Sequence, residues 1–164
     1  MQLNLKKPRR NMRSKTYVLI KACSIASISI VLLIVFSITA FAERLSVASS
    51  IVNIRSGPGT RYDVLWRVAK YHPILVLKKT GNWYHFRDFE GDKGWLHNSL
   101  VRNIPTVITN KEKCNVRSGP GTKFNILFTT EKGVPFKTLK RKGNWIHVQH
   151  ADGDKGWLHK SLVW

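Results

Sequence analysis

The chain has 164 residues, with 28 lysines and arginines against nine acidic residues, and a formal net charge of +19. This length indicates one domain or two small ones. Such an excess of positive charge favours anionic partners, namely nucleic acid, phosphate-rich envelope polymers or anionic lipid head groups. Of the two cysteines, Cys23 lies in an N-terminal stretch unlike the rest, so the remaining Cys114 excludes an intramolecular disulfide in the main part of the chain.

The N-terminal stretch, residues 1–42, has the pattern of an export leader. Residues 1–15 carry six basic residues and no acid, residues 22–42 carry no charge, and the segment ends in Ala-Phe-Ala. This pattern is typical of a secretory signal peptide cleaved between Ala42 and Glu43. The alternative is an uncleaved inner-membrane anchor, since the uncharged run of residues 22–42 is long enough to span a bilayer as a helix. Either way we expect a hydrophobic leader helix and a periplasmic or otherwise exported protein, anchored in the inner membrane if the leader is not cleaved.

Export changes the list of expected partners. Seven of the 28 basic residues precede residue 43 and none of the nine acids does, so the rest of the chain carries 21 − 9 = +12. Nucleic acid is not expected outside the cytoplasm, which leaves cell-wall peptidoglycan, another anionic envelope component or an envelope protein. The alternative that the charge serves only solubility stays open.

The chain after the leader contains the same unit twice. Shifting the sequence by 62 residues aligns residues 53–101 with residues 115–163 without a gap, and 26 of these 49 pairs are identical. Two copies are too few for a solenoid, which needs about three, so each unit must close its own core. We place the units at residues 43–102 and 107–164, with a short, stiff, proline-containing linker at residues 103–106.

Each unit reads as a set of short strands separated by turns. Apolar runs of three to five residues alternate with turns rich in Gly, Asn and Asp, and no stretch after residue 43 shows helical spacing over three turns. Pro58, between two glycines, indicates a shaped loop within the string RSGPGT. Strands of this length and spacing predict an all-β chain made of two small barrels in tandem.

Three strings recur in register in both units: N-[VI]-R-S-G-P-G-T, then G-N-W, then G-D-K-G-W-L-H. Together they resemble the bacterial SH3-like domain, and in particular the two-copy form found as small exported proteins of alphaproteobacteria. The resemblance covers about residues 46–164 and implies two five-stranded, partly open SH3-like barrels that act as accessory modules in cell-wall and envelope proteins. In that family the domain commonly targets a peptidoglycan hydrolase to wall peptides, whereas this chain has no room for a catalytic domain. Binding of proline-rich peptides, known from the eukaryotic namesake, is not carried over.

No catalytic or metal site is expected. Metal chemistry needs three or four converging ligands, and each unit offers two recurring histidines and no cysteine pair. Nucleophilic chemistry needs a serine or cysteine beside a positioned base, and nothing in the sequence places one there. We therefore expect a binding protein, not an enzyme, with no cofactor and no small-molecule substrate.

The candidate ligand contacts lie in an aromatic and basic groove beside the RSGPGT loop. For the arginine of that loop, ligand contact and a structural role in holding the loop are both open. The aromatic residues in or after loops are the better candidates for ligand contact. Trp66 and Tyr84 are replaced in the second unit by Phe128 and Ile146, which hints that the two grooves are not equivalent. The candidates are Arg55, Ser56, Tyr62, Trp66, Tyr84, Arg117, Ser118 and Phe124.

Five further residues are assigned to the core. Tryptophan is large enough to make most of a tiny core, and a lone cysteine aligned with a valine, here Val52, is expected to act as a small buried hydrophobe. The predicted core residues are Trp83, Trp95, Trp145, Trp157 and Cys114.

Overall fold

A computed structural model of the chain describes residues 42–164. The expected signal peptide or anchor therefore lies, apart from Ala42, outside the described residues. No helix in the described part is long and apolar enough to cross a membrane. We call residues 43–102 repeat 1 and residues 107–164 repeat 2.

The described chain consists of thirteen short strands and two single-turn 3-10 helices. The strands of repeat 1 are β1 Glu43–Val47, β2 Ile51–Arg55, β3 Val64–Ala69, β4 Pro73–Thr80, β5 Trp83–Arg87, β6 Lys93–His97 and β7 Val101–Arg102. The following strands are β8 Thr106–Ile108, β9 Cys114–Arg117, β10 Ile126–Thr130, β11 Pro135–Lys142, β12 Trp145–Gln149 and β13 Lys155–His159. The 3-10 helices, Asn98–Leu100 and Lys160–Leu162, follow β6 and β13. The expectation of an all-β chain is confirmed for the described residues.

The strands form two antiparallel sheets, and these differ from the expected five-stranded barrels. Repeat 1 has seven strands in the order β3-β2-β6-β5-β4-β1-β7, and repeat 2 has six in the order β10-β9-β13-β12-β11-β8. The additional strands come from the ends of each unit, because β1 pairs with both β4 and β7, and β8 pairs with β11. Neither sheet is closed into a barrel, since the first and last strands of each order do not pair with one another.

Each repeat encloses its own apolar core, built by the alternation of side chains along the strands. In repeat 1 the fully buried side chains include Ile54, Ile74, Phe86 and Leu96, and in repeat 2 the buried cluster is Val107, Cys114, Val116, Phe136, Ile146, Val148 and Leu158. Cys114 is fully buried in that cluster, and burial raises the pKa of its thiol.

The four predicted core tryptophans differ in burial. Trp157 is buried, with 8% of its surface exposed, whereas Trp83, Trp95 and Trp145 are half-buried. The reason for the partial exposure is the pleat of the sheet. The fully buried Leu96 is the sequence neighbour of Trp95, so Trp95 must point to the opposite face.

The segment between the repeats is held by both of them. Ser46 Oγ donates to the carbonyl of Ile104 at 2.9 Å and lies 2.6 Å from Thr106 Oγ1, while the backbone N–H of Thr138 donates to the carbonyl of Pro105 at 2.8 Å. Thr106, assigned to the linker from the sequence, begins β8. These bonds attach the expected stiff linker to a strand of each sheet.

Candidate functional site

The outward face of each sheet carries a cluster of tryptophan and histidine. In repeat 1, Trp83 is paired with His97 and His85 with Trp95 across β5 and β6, which places all four side chains on the face opposite the core. The rings of His85 and Trp95 stack with centroids 4.8 Å apart and planes 24° apart. The rings of Trp83 and His97 meet edge to face at 5.4 Å.

Repeat 2 repeats this arrangement in the same register. His147 stacks on Trp157 at 4.9 Å and 26°, and Trp145 meets His159 at 5.2 Å. We call these two clusters the Trp–His faces. Each consists of the four aromatic rings that β5 and β6, or β12 and β13, place outside the core.

Cationic side chains extend each Trp–His face across the neighbouring strands. Lys78 is the cross-strand partner of His85, and Lys140 that of His147. Lys140 Nζ lies 5.5 Å from the ring centroid of Trp157, within the range of a cation–π contact. Burial, together with the charges of Lys140 and Lys155, lowers the pKa of His147 and thus favours the neutral form of this imidazole.

The histidines that begin the 3-10 helices are held in a defined orientation. The backbone N–H of Ser99 donates to His97 Nδ1 at 3.3 Å, and Ser99 Oγ lies 2.7 Å from the same nitrogen. His159 and Ser161 form the same pair of contacts, at 3.3 and 2.8 Å. With Nδ1 accepting from the backbone, the proton of the neutral ring is assigned to Nε2, which can donate to a ligand.

The RSGPGT loop borders the Trp–His face, and its arginine serves the loop itself. Arg55 Nη1 donates to the carbonyls of Thr60 and Tyr62, at 3.0 and 2.8 Å. Arg117 Nη1 makes the equivalent bonds to Thr122 and Phe124, at 3.0 and 2.9 Å. The sequence left two roles open for this arginine, ligand contact and holding the loop. In both repeats its hydrogen bonds hold the loop.

The aromatic residue after each loop also has a structural position. A Cβ atom added to Gly57 would lie 2.4 Å from the ring of Tyr62, and one added to Gly119 would lie 2.3 Å from that of Phe124. The ring therefore packs directly against the glycine backbone and fixes the shape of the loop, which explains why glycine stands at these positions.

The remaining predicted contacts are separated from one another. Ser56 and Ser118 are exposed in the loop, and the backbone N–H of each donates across the loop, to the carbonyls of Asp63 and Asn125. Trp66 and Tyr84 pack against the core of repeat 1, so neither lies on the outward face beside Trp83. The eight candidates thus do not form one groove.

A groove nevertheless exists beside the loop in repeat 1. It has a volume of about 280 Å³ and joins the loop to the Trp–His face. Its lining residues are Ile51, Val52, Asn53, Arg55, Thr60, Trp83, His97 and Leu100.

The sequence interpretation did not propose the outward-facing histidines and tryptophans as ligand contacts. Alternation along β5 was the signal that could have found them, since Phe86 is buried and its neighbour His85 must then point away from the core. Among residues 42–164, no group of three or more His, Cys, Asp and Glu side chains is placed to hold a metal ion.

Comparison with known proteins identifies the repeated unit. Residues 48–103 and 110–164 each match the family model of the bacterial SH3 domain. A Bacillus subtilis protein, YrvJ, named as a candidate N-acetylmuramoyl-L-alanine amidase, is 27% identical over 138 residues, covering 77% of this chain and 26% of YrvJ. LytH of Staphylococcus epidermidis, named as a candidate cell wall amidase, is 44% identical over 52 residues, covering 31% of this chain and 18% of LytH. The chain thus matches about a quarter of YrvJ and less than a fifth of LytH.

Among solved structures, an NlpC/P60 family protein from Bacillus cereus aligns with 74% of this chain and 56% of its own, at 15% identity and a TM-score of 0.36. The NlpC2 protein of Trichomonas vaginalis aligns with 77% of this chain and 49% of its own, at 10% identity and a TM-score of 0.34.

Proposed function

This chain belongs to the bacterial SH3 domain family, and from that membership and its two Trp–His faces we propose that it is a non-catalytic binding module of the cell envelope. Its ligand in this proposal is peptidoglycan or another anionic envelope polymer. Two relatives carry the names of cell-wall amidases, and the chain matches only a minor part of each, as a binding module shared with such enzymes would. Export through the leader of residues 1–42 belongs to the same proposal.

The observation that carries the proposal is the outward face that recurs in both repeats. A partly exposed tryptophan offers a broad apolar surface with one polar N–H, and the adjacent lysine attracts anionic groups. Because both faces belong to one compact unit, two weak contacts with the same polymer would combine through effective concentration. A long, repetitive ligand suits such a protein better than a small molecule does.

Sedimentation with purified insoluble peptidoglycan tests the proposal. We expect residues 43–164 to sediment with the wall at low salt and to remain partly bound at moderate salt, where exposed charges are screened over a distance of about 10 Å. Absence of binding at low salt would overturn the proposal, and complete loss at moderate salt would reduce it to unspecific charge attraction.

A matched pair of double variants tests the Trp–His faces themselves. Lys78→Gln with Lys140→Gln removes one cation from each face, whereas Lys70→Gln with Lys111→Gln removes the same charge from turns elsewhere in the two repeats. We expect the first variant to bind the wall several-fold more weakly than the second. Equal losses would show that only net charge matters. Comparing the mass of the chain recovered from cells with that of the full chain tests removal of residues 1–42.

A second function, docking to an envelope protein such as a wall hydrolase, is favoured by one specific observation. The edge strands β3 and β10 expose the apolar pairs Val64–Leu65 and Ile126–Leu127, each side chain being 44–54% exposed. Exposed edge strands can accept a further strand from a partner. Leu65→Lys with Leu127→Lys would abolish such docking and leave sedimentation with peptidoglycan unchanged, which separates the two functions.

A further inference from the structure

The junction between the repeats contains a cleft of about 460 Å³ that neither repeat could form alone. Its walls come from β1 and the linker on one side and from β11, β12 and the C-terminal segment on the other. The lining residues are Arg44, Ser46, Asn103, Ile104, Pro105, Thr106, Val107, Thr138, Arg141, Ile146, Lys160, Val163 and Trp164.

The charged side chains of this cleft are all cationic. Arg44, Arg141 and Lys160 line it, and none of its lining residues in the described part of the chain is acidic. Within residues 42–164, the salt bridge Lys132–Glu90 and the contact between His150 and Asp152 involve none of the three. Partial burial and the charge of Arg141 lower the pKa of Arg44, and no carboxylate of the described residues lines the cleft to compensate the two guanidinium groups.

One residue of the cleft wall has an unpartnered polar atom. Thr138 Oγ1 is buried and has no hydrogen-bond partner, which is costly unless something else bonds to it. The guanidinium of Arg44 is fixed by stacking over the ring of Trp164, 4.0 Å from its centroid, and is thereby preorganised.

This set of three cations occurs only once, although the module occurs twice. In the alignment of the repeats, Arg44 corresponds to Thr106, Arg141 to Lys79 and Lys160 to Asn98. Side chains that serve the fold of the module recur, whereas these three have no matching set. They are a property of the junction.

From the charge, the unpartnered hydroxyl and the shape of the cleft, we propose that the junction is a binding site for an oxyanion, a phosphate or carboxylate group. Guanidinium and ammonium groups complement the charge of such a group and donate hydrogen bonds to it. The bound anion would relieve the repulsion between Arg44 and Arg141 and fasten the two repeats together. This site is separate from the Trp–His faces and does not depend on the proposed function.

The test is a titration of residues 43–164, which contain both sheets and both cores, with inorganic phosphate and separately with acetate, at constant ionic strength and pH 7. We expect saturable changes in the nuclear magnetic resonance signals of cleft residues, above all the side-chain Nε–H groups of Arg44 and Arg141. At about ten times the Kd, the unfolding midpoint should rise by about 5 °C. The anion that saturates at the lower concentration identifies the preferred group.

Variants decide whether the cleft is responsible. Arg141→Gln is expected to weaken the binding about tenfold, as loss of a charged hydrogen-bonding partner does, and Lys160→Gln provides a second variant at an exposed position. Arg61→Gln, which removes an exposed arginine from the loop of repeat 1, is the control and should bind like the parent. Signal changes that do not saturate, or that are scattered over the basic surface and persist in Arg141→Gln, would overturn the proposal.

Discussion

Replacing Gly156 by alanine should destabilise repeat 2 by overfilling its core. Gly156 lies on β13 beneath the core, and an added Cβ would stand 2.4 Å from Val116 Cγ1 and 3.0 Å from the carbonyl oxygen of Arg117. Both distances are too short for a carbon in a packed interior, so a strand or a side chain must shift. We expect a loss of about 1–3 kcal/mol in the free energy of unfolding.

Urea unfolding of residues 43–164, followed by tryptophan fluorescence, measures this loss. At about 2 kcal/mol the midpoint should fall by about 1 M with the slope unchanged. The control is Gly143→Asn, at a position with φ of 56° and nothing within 4 Å of an added Cβ, where asparagine tolerates the left-handed backbone and should cost under about 1 kcal/mol.

A double variant tests the cause. Val116→Ala removes the Cγ1 atom that the new Cβ would strike and by itself costs about 2 kcal/mol through the cavity it leaves. In that background Gly156→Ala should cost about 1 kcal/mol less than in the parent, with part of the penalty remaining because the carbonyl oxygen of Arg117 stays in place. Additive costs, or a neutral Gly156→Ala, would refute the overlap as the reason for glycine at this position.

Three further predictions concern single side chains. Arg117→Ala should lower the free energy of unfolding by about 1–2 kcal/mol, because two loop carbonyls lose their donor, and hydrogen exchange should accelerate within the RSGPGT loop; unchanged exchange would contradict this role. Burial lowers the pKa of His72, so the folded state binds fewer protons than the unfolded one and stability should fall as the pH drops below about 6.5. His72→Val introduces the residue that repeat 2 has at this position and should flatten that decline. It should also add about 1 kcal/mol to the free energy of unfolding at pH 7, because it removes a buried nitrogen that has no hydrogen-bond partner. Urea unfolding between pH 5 and 7 measures both effects. The thiol of Cys114 in residues 43–164 should react with a thiol reagent only after unfolding, because it is fully buried and its pKa is raised; rapid labelling of the folded protein would contradict the burial.

The sequence was sufficient for the features that depend on local pattern. Most strands begin and end near the turns rich in glycine, asparagine and aspartate that the sequence predicted as strand boundaries. The three strings that recur in register predicted the family that the comparison establishes. Strand number was harder to predict. The pairings of β1 with β7 and of β8 with β11 join residues 27 to 56 positions apart, and no local pattern announces such contacts.

The orientation of the tryptophans was missed because size was given more weight than alternation. A tryptophan buries more surface than a phenylalanine, which favours the interior, but Phe86 and Leu96 already occupy the core side of β5 and β6. The side chains of their sequence neighbours Trp95 and His85 must then point to the outward face. The alternation of side chains along each strand therefore predicts which residues face outward, and it is a better guide to the candidate site than residue size is.

Comparison of the repeats separates what one module does from what the pair does. In the sequence, the differences at Trp66 and Tyr84 indicate unequal grooves, but both side chains pack against the core of repeat 1 and not on its outward face. The outward Trp and His residues, by contrast, recur in both copies at the same register, and Lys140 adds a cation–π contact with Trp157 in repeat 2. The copies differ at their junction, where Arg44, Arg141 and Lys160 have no matching cationic set in the other register. An anionic polymer carries the same oxyanion groups that the junction is proposed to bind. Arg141→Gln should therefore weaken phosphate binding, and a parallel loss of wall binding would show that the polymer contacts the junction as well as the Trp–His faces.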